Sequence, residues 1–160
     1  NRKWCTDFTY LFLANHEVRY NCTIIDLHDR SVIANITDRN ITSDLAIRTL
    51  RKALESQPTI KEGLILHSDQ GSQYTSKAFT EFCESVNVTQ SMSKAGYPYD
   101  NAPMERYFNT LKNECTNLYE FTTEETLYQK VEEFAYVDYN HVRPHSYNGY
   151  RTPYEARTAA

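Results

Sequence analysis

Trp4-Cys5-Thr6-Asp7-Phe8-Thr9-Tyr10-Leu11-Phe12-Leu13 is the stretch on which the fold turns. Aromatic and β-branched side chains dominate it, so it reads as a buried strand. One carboxylate, Asp7, stands inside it. An unpaired carboxylate in such surroundings is expensive, so Asp7 is either paired or holding a cation.

Working outward, residues 20–27 and 31–37 are two more strand-like runs, with Asp29-Arg30 as the turn between them. Thr42 or Ser43 opens a helix to about Ser56, with Leu45, Ala46, Leu50, Ala53 and Leu54 as its apolar stripe and Pro58 beyond its end. Leu64-Ile65-Leu66 is a short all-apolar strand of the kind covered on both faces, and it runs into the polar loop His67-Ser68-Asp69-Gln70-Gly71. Thr75 or Ser76 opens a second helix through Phe79, Phe82 and Cys83, and residues 86–91 form a last short strand. Ser91 to Tyr99, with Gly96 and Pro98, reads as a mobile loop. Asp100 or Asn101 then caps a helix with Pro103 in its first turn, reaching about Leu118, and another helix spans about 123–139. Three strands in hairpin order followed by alternating helices and strands predict an α/β fold. The order matches that of a ribonuclease-H-like, five-stranded mixed sheet flanked by helices, but order alone does not decide between α/β folds.

Composition narrows the function. The 160 residues carry 17 Lys plus Arg against 21 Asp plus Glu, a formal charge of −4. That excludes a polybasic domain held on nucleic acid by charge alone. Hydrophobic residues at 40% and aromatics at 13% suffice for a core. With 4 Gly and 5 Pro and no visible linker, residues 1–160 read as a single domain. No apolar run approaches the roughly 18–20 residues of a membrane span. The start at Asn1, without Met, suggests a piece of a longer protein. Cys5, Cys22, Cys83 and Cys115 form no CxxC pair and read as buried hydrophobes of a reducing, cytoplasmic compartment. Four N-glycosylation sequons, at Asn21, Asn35, Asn40 and Asn87, are read as chance matches in an Asn/Thr-rich chain.

Three carboxylates stand apart from those on helix surfaces. Asp69 follows the Leu64–Leu66 strand at its carboxyl end, beside a glycine that permits close approach. If that strand pairs in parallel with the first, Asp7 and Asp69 share one spot, and a divalent cation is the usual reason to keep both ionised. Glu105 is the third. On a helix, Asn101, Glu105, Asn109 and Lys112 fall within about 40° of one another, while Met104, Tyr107, Phe108, Leu111, Cys115 and Leu118 dock the other side. The stripe is either solvated or a face for a phosphate backbone. Asp100, as a cap, and Glu114, on the opposite side, are the rivals of Glu105. An all-oxygen set with open positions selects Mg²⁺ or Mn²⁺ over zinc, and two such ions suit in-line displacement at phosphorus. His67 ends a buried strand, where a structural hydrogen bond is expected.

The motifs Trp4-Cys5-Thr6-Asp7-Phe8-Thr9-Tyr10, His67-Ser68-Asp69-Gln70-Gly71-Ser72-Gln73-Tyr74, Ser91-Met92-Ser93, Asp100-Asn101-Ala102-Pro103-Met104-Glu105 with Leu111-Lys112-Asn113-Glu114, and Tyr139-Asn140-His141-Val142-Arg143-Pro144-His145 stand in this order, with 35 residues between Asp69 and Glu105. Together they resemble the catalytic core of bacterial insertion-sequence DDE transposases, the subgroup closest to retroviral integrases. The resemblance implies a ribonuclease-H-like fold and two Mg²⁺ ions (or Mn²⁺), with Asp7 bridging both and Asp69 and Glu105 each completing one. It implies cleavage at transposon-end DNA by water, attack of the freed 3′-OH on target DNA, and no covalent protein–DNA intermediate. It further implies a homo-oligomer, at least a dimer in the synaptic complex, acting in the bacterial cytoplasm at the nucleoid, and an upstream helix-turn-helix region outside this chain. Lys112 matches the family's DNA-contacting lysine. Asn109, Asn101, Arg106, Lys94 and Arg143 are further candidates for DNA contact, the last in a tail, residues 141–160, whose Arg143, Arg151 and Arg157 outnumber Glu155. Two departures stand out: Arg106-Tyr107 after Glu105, where a small residue and an aromatic are more usual, and His16-Glu17-Val18-Arg19-Tyr20, where a shorter turn with glycine is typical. A structure-selective nuclease and a DNA-binding domain without activity are the competing readings.

Overall fold

A computed structural model of the chain describes residues 1–60, 62–94 and 101–159. Five strands, β1 (Lys3–Phe12), β2 (Val18–Asp26), β3 (Val32–Asp38), β4 (Ile65–Ser68) and β5 (Thr89–Met92), form one sheet in the order β3-β2-β1-β4-β5. β1 pairs antiparallel with β2 and parallel with β4, and β4 pairs parallel with β5. β1 is therefore central, which explains its near-continuous apolar run. Its odd-numbered side chains Cys5 and Leu11 face one core with Met104, Tyr107 and Leu111; its even-numbered Trp4 and Phe8 face a second with Ala46, Leu50 and Phe79.

Helix α1 (Ser43–Ser56) is capped by Thr42, whose hydroxyl accepts from Leu45 N–H, and α3 (Lys77–Ser85) by Ser76, which accepts from Phe79 N–H. These ends lie where the sequence places them. A four-residue helix α2 (Ser72–Thr75) precedes α3 and is not foreseen, because it is one turn with no apolar period of its own. β5 begins at Thr89, not residue 86, since the turn after α3 runs through Asn87 at φ 59°. The expected loop after Ser91 begins later, beyond β5, and its residues 95–99, like Asp100 as a cap, lie outside the described residues.

Helix α4 (Ala102–Glu114) stops four residues short of Leu118. Cys115 leaves helical geometry and a 3₁₀ turn, Thr116–Leu118, carries Leu118 out to 65% exposure rather than into the core. Helix α5 (Glu124–Glu133) continues as a π-helical segment, Phe134–Val142, and α6 (Pro153–Thr158) closes the chain with a capping box between Thr152 and Glu155. Within the π segment the Asn140 side chain donates to Val32 O at 2.9 Å and accepts from Val32 N at 2.8 Å, closing the exposed edge of β3. At the β1–β2 connection His16 takes φ 70°, filling the left-handed position where glycine is more usual. All four cysteines are free and buried, and two sequon asparagines, Asn21 and Asn35, are fully buried in β2 and β3. Among the described residues no helix is long and apolar enough to cross a membrane.

Candidate active site

The β1–β4 register runs Lys3↔Ile65, Trp4↔Leu66, Cys5↔His67. Asp7 stands two residues beyond Cys5 on β1 and Asp69 two residues beyond His67, just past the end of β4, so both fall at the mouth where β4 ends. Adjacent strands lie roughly 5 Å apart. The His67 ring is fixed from both sides, Nδ1 to Ser91 Oγ and Nε2 to Ser93 Oγ, each at 2.9 Å. That is the structural role expected of it, and it ties β4 to β5 directly before Asp69.

The Asp69 loop has a built support. Asp69 Oδ1 accepts from Gly71 N–H at 2.8 Å, and a Cβ at Gly71 would stand 2.9 Å from that same oxygen. Glycine leaves room there for the carboxylate to fold back onto the backbone, and a side chain would displace it. Tyr74, on α2, is buried, packs its ring 5.2 Å from Phe8, and meets Thr6 Oγ1 through its hydroxyl at 3.1 Å. Gln90 on β5 donates to Tyr74 O at 2.9 Å. The Tyr74–Thr6 contact spans 68 positions of chain, so no local pattern could reveal it.

Asp7 is half-buried on the face of β1 that looks toward α4. Its Oδ1 accepts from Phe8 N–H at 2.8 Å and its Oδ2 from Asn101 Nδ2 at 3.3 Å. Burial, with the charges of Asp69 and Glu105 adding to it, raises the Asp7 pKa from 3.8 to about 6, against the opposing hydrogen bonds from Phe8 and Asn101. Asp7 thus has both other carboxylates as electrostatic neighbours. Asn101 is a correction to the sequence reading. It stands at the N-cap position of α4, as expected, but its side chain makes no capping bond and does not join an exposed stripe: at 6% exposure it turns inward, donating to Asp7 and, at 3.4 Å, to Thr6 O.

Glu105 sits exposed in the first turn of α4, held there because Met104, Tyr107, Phe108 and Leu111 dock the opposite side. A groove along α4 is lined by Ala102, Glu105, Arg106, Asn109, Asn113 and Arg143, among others. Arg106 and Asn109 are exposed, Lys112 partly so, and Lys94 is exposed after β5. Glu114, the rival of Glu105, is bonded by Arg143 Nε at 2.6 Å. Arg157 is no part of a cationic tail: its guanidinium is inserted between Asp26 and Asp29, both 1% exposed, at 3.1 and 2.8 Å.

Among the described residues no three Asp, Glu, His or Cys side chains are already gathered closely enough to hold a metal ion. The donor chemistry nonetheless fits a hard divalent cation. All three carboxylates offer oxygen, the charge of Asp7 is disfavoured by burial and by its like-charged neighbours, and Asn101 Oδ1 lies buried beside it without a hydrogen-bond partner.

Two models described as integrase core domain match the chain, over residues 1–98 and 86–153. Over 153 residues the chain is 35% identical to transposase InsF of insertion sequence IS3A from Escherichia coli, covering 96% of this chain and 52% of that protein. It is 33% identical over 153 residues to the transposase of insertion element IS904 from Lactococcus lactis, covering 96% and 60%. The chain spans about half the length of the curated relatives it matches. Among solved structures, the simian T-cell lymphotropic virus intasome in complex with PP2A regulatory subunit B56 gamma superposes with a TM-score of 0.82 at 20% identity, covering 100% of this chain and 55% of that one. The HTLV-2 integrase catalytic core domain in complex with magnesium gives 0.72 at 19% identity, covering 98% and 95%. At these identities the likeness is one of fold, and it is the ribonuclease-H-like fold expected from the strand order.

Proposed function

This chain belongs to the integrase core domain family, and from that premise we propose that it is the catalytic core of an insertion-sequence transposase. In this reading it cleaves a phosphodiester at the transposon end and joins the freed 3′-OH to target DNA. The observation that carries the reading is Asp7, on the α4 face of β1 beside the end of β4 that leads into Asp69, and raised in pKa partly by both Asp69 and Glu105. Like charges assembled around a half-buried acid have a purpose where cations are to be held.

Asp7, Asp69 and Glu105 would hold two Mg²⁺ or Mn²⁺ ions, which when bound neutralise charge at phosphorus and activate the attacking oxygen. The chain's own residues set the geometry. Asn101 and Phe8 N–H orient Asp7, Gly71 N–H orients Asp69, and the apolar side of α4 fixes the origin of Glu105. Lys112, Asn109, Arg106 and Lys94 contact phosphates along the DNA path, which positions the duplex without reading its sequence. Arg143 shares that path while paired to Glu114. Joining two ends calls for a homo-oligomer, at least a dimer, and the work is done in the bacterial cytoplasm on nucleoid DNA.

The test is strand transfer by the full-length protein on its own element ends, with and without Mg²⁺. Asp7→Asn, Asp69→Asn and Glu105→Gln should each reduce joined product to background while the thermal transition survives. Joined product from any one of them overturns its assignment, and hydrolysis without joining by the wild type would make the protein a nuclease of the same fold.

A further inference from the structure

Beside the Glu105 groove, and sharing Ala102, Arg106, Thr110 and Arg143 with it, lies a pocket of about 340 Å³. Three guanidinium groups from three separate segments line it: Arg30 after the β2–β3 turn, Arg106 on α4, and Arg143 beyond the π segment. Arg143 is paired to Glu114, but among the described residues no carboxylate pairs with Arg30 or Arg106. Arg30 is held at φ 65° with its guanidinium 4.1 Å from the centroid of the Tyr147 ring, which fixes its direction at little entropic cost.

Two further features share this wall. His145 is nine-tenths buried, lines the pocket, and leaves Nε2 without a hydrogen-bond partner. Ala102 and Pro103 bring the amino end of α4 to the pocket, and Asn101 spends its side chain on β1 rather than capping it. Two unpaired planar cations beside the amino end of α4, which no side chain caps, form the complement of a phosphate group. In a chain of net charge −4, this concentration of positive charge beside the Glu105 groove is not a general feature of the surface.

We infer that the Arg30–Arg106–His145 pocket seats a backbone phosphodiester of the DNA next to the one being cleaved. Arg106 and Arg30 neutralise it, and the buried His145 ring forms part of the wall behind it. Arg106, the departure from the family pattern after Glu105, thereby acquires a function, which is to register the strand so that the scissile phosphorus falls over the carboxylates. The inference rests on the transposase reading for its ligand, though not for its phosphate chemistry.

The experiment measures equilibrium binding of full-length protein to its own end DNA in EDTA across a salt series, for wild type, Arg106→Gln, Arg30→Gln and, as a control on the far face, Arg51→Gln. Each pocket variant should weaken binding about tenfold at low salt and flatten the salt slope by about 1, with the thermal midpoint unchanged. Arg51→Gln should match the wild type. A second arm titrates pyrophosphate against thermal unfolding, with protection expected in the wild type and lost in both pocket variants. Unchanged slopes in variants of a protein that still joins DNA overturn the inference and leave the transposase reading intact. A wild type that joins no DNA but is protected by pyrophosphate through Arg30 and Arg106 overturns the transposase reading and, with it, the DNA ligand, leaving only an anion pocket. Pyrophosphate protection that survives both substitutions overturns the pocket itself.

Discussion

Asp7→Asn should stabilise this protein while it removes activity. The Asp7 carboxyl has its pKa raised from 3.8 to about 6, chiefly by burial and further by Asp69 and Glu105. A group whose folded-state pKa lies above its unfolded value contributes stability that is fully present below pH 3.8 and is lost as pH rises through 6. The gap of about 2, at about 1.36 kcal/mol per pH unit, amounts to about 3 kcal/mol above pH 7. Because the carboxylate keeps some solvent contact, about 1–3 kcal/mol is the expected gain. At about 2–4 °C per kcal/mol for a domain of this size, the midpoint at pH 8 should rise by roughly 2–12 °C. The new side chain keeps an oxygen for Phe8 N–H, and its amide can donate to Asn101 Oδ1, now without a partner, once the Asn101 amide turns over. Urea or thermal unfolding in EDTA at pH 8 and at pH 4 provides the assay. The variant should lead at pH 8, the lead should shrink toward zero at pH 4, and Mg²⁺ should narrow it at pH 8 by binding only the wild-type fold. A variant no more stable than wild type at pH 8, or a difference independent of pH, would refute the electrostatic account of the site.

Two other substitutions probe the supports. Gly71→Ala places a methyl group 2.9 Å from Asp69 Oδ1 at a residue whose φ of −58° any side chain tolerates; displacement of the carboxylate by a fraction of an ångström should lower the strand-transfer rate by roughly 10–100-fold with the unfolding midpoint preserved, and normal turnover would show that the Gly71 hydrogen bond does not position Asp69. Arg157→Ala leaves Asp26 and Asp29, each 1% exposed, without their shared cation; denaturant unfolding should report a loss of about 3–5 kcal/mol, and a loss below about 1 kcal/mol would mean that solvent reaches both carboxylates.

The local features of this chain were readable in its sequence. The caps at Thr42 and Ser76, the apolar face of α4 and the strand character of residues 4–13 depend on residues within a turn or a few positions of each other. Periodicity and capping chemistry record such interactions directly. Asp7 and Asp69 were legible as unusual too, because a lone acid in an apolar strand and another at a strand end stand out against solvated helix carboxylates, whereas Glu105 on its helix face was singled out from its rivals only by the family resemblance.

What the tertiary structure alone decided is where distant residues meet. Asn101 reaches Asp7 across 94 positions, and Arg157 reaches Asp29 across 128. From sequence, the first is indistinguishable from a helix cap and the second from a solvated tail. The Tyr74 hydroxyl that steadies the Asp69 loop, the π-helical turn that presents Asn140 to β3, and the three arginines gathered around His145 are likewise products of packing. A hydrogen bond or an ion pair leaves no periodic trace when its partners lie on different elements, since the chain pattern encodes which face of each element is apolar but not which polar group the sheet will bring opposite it.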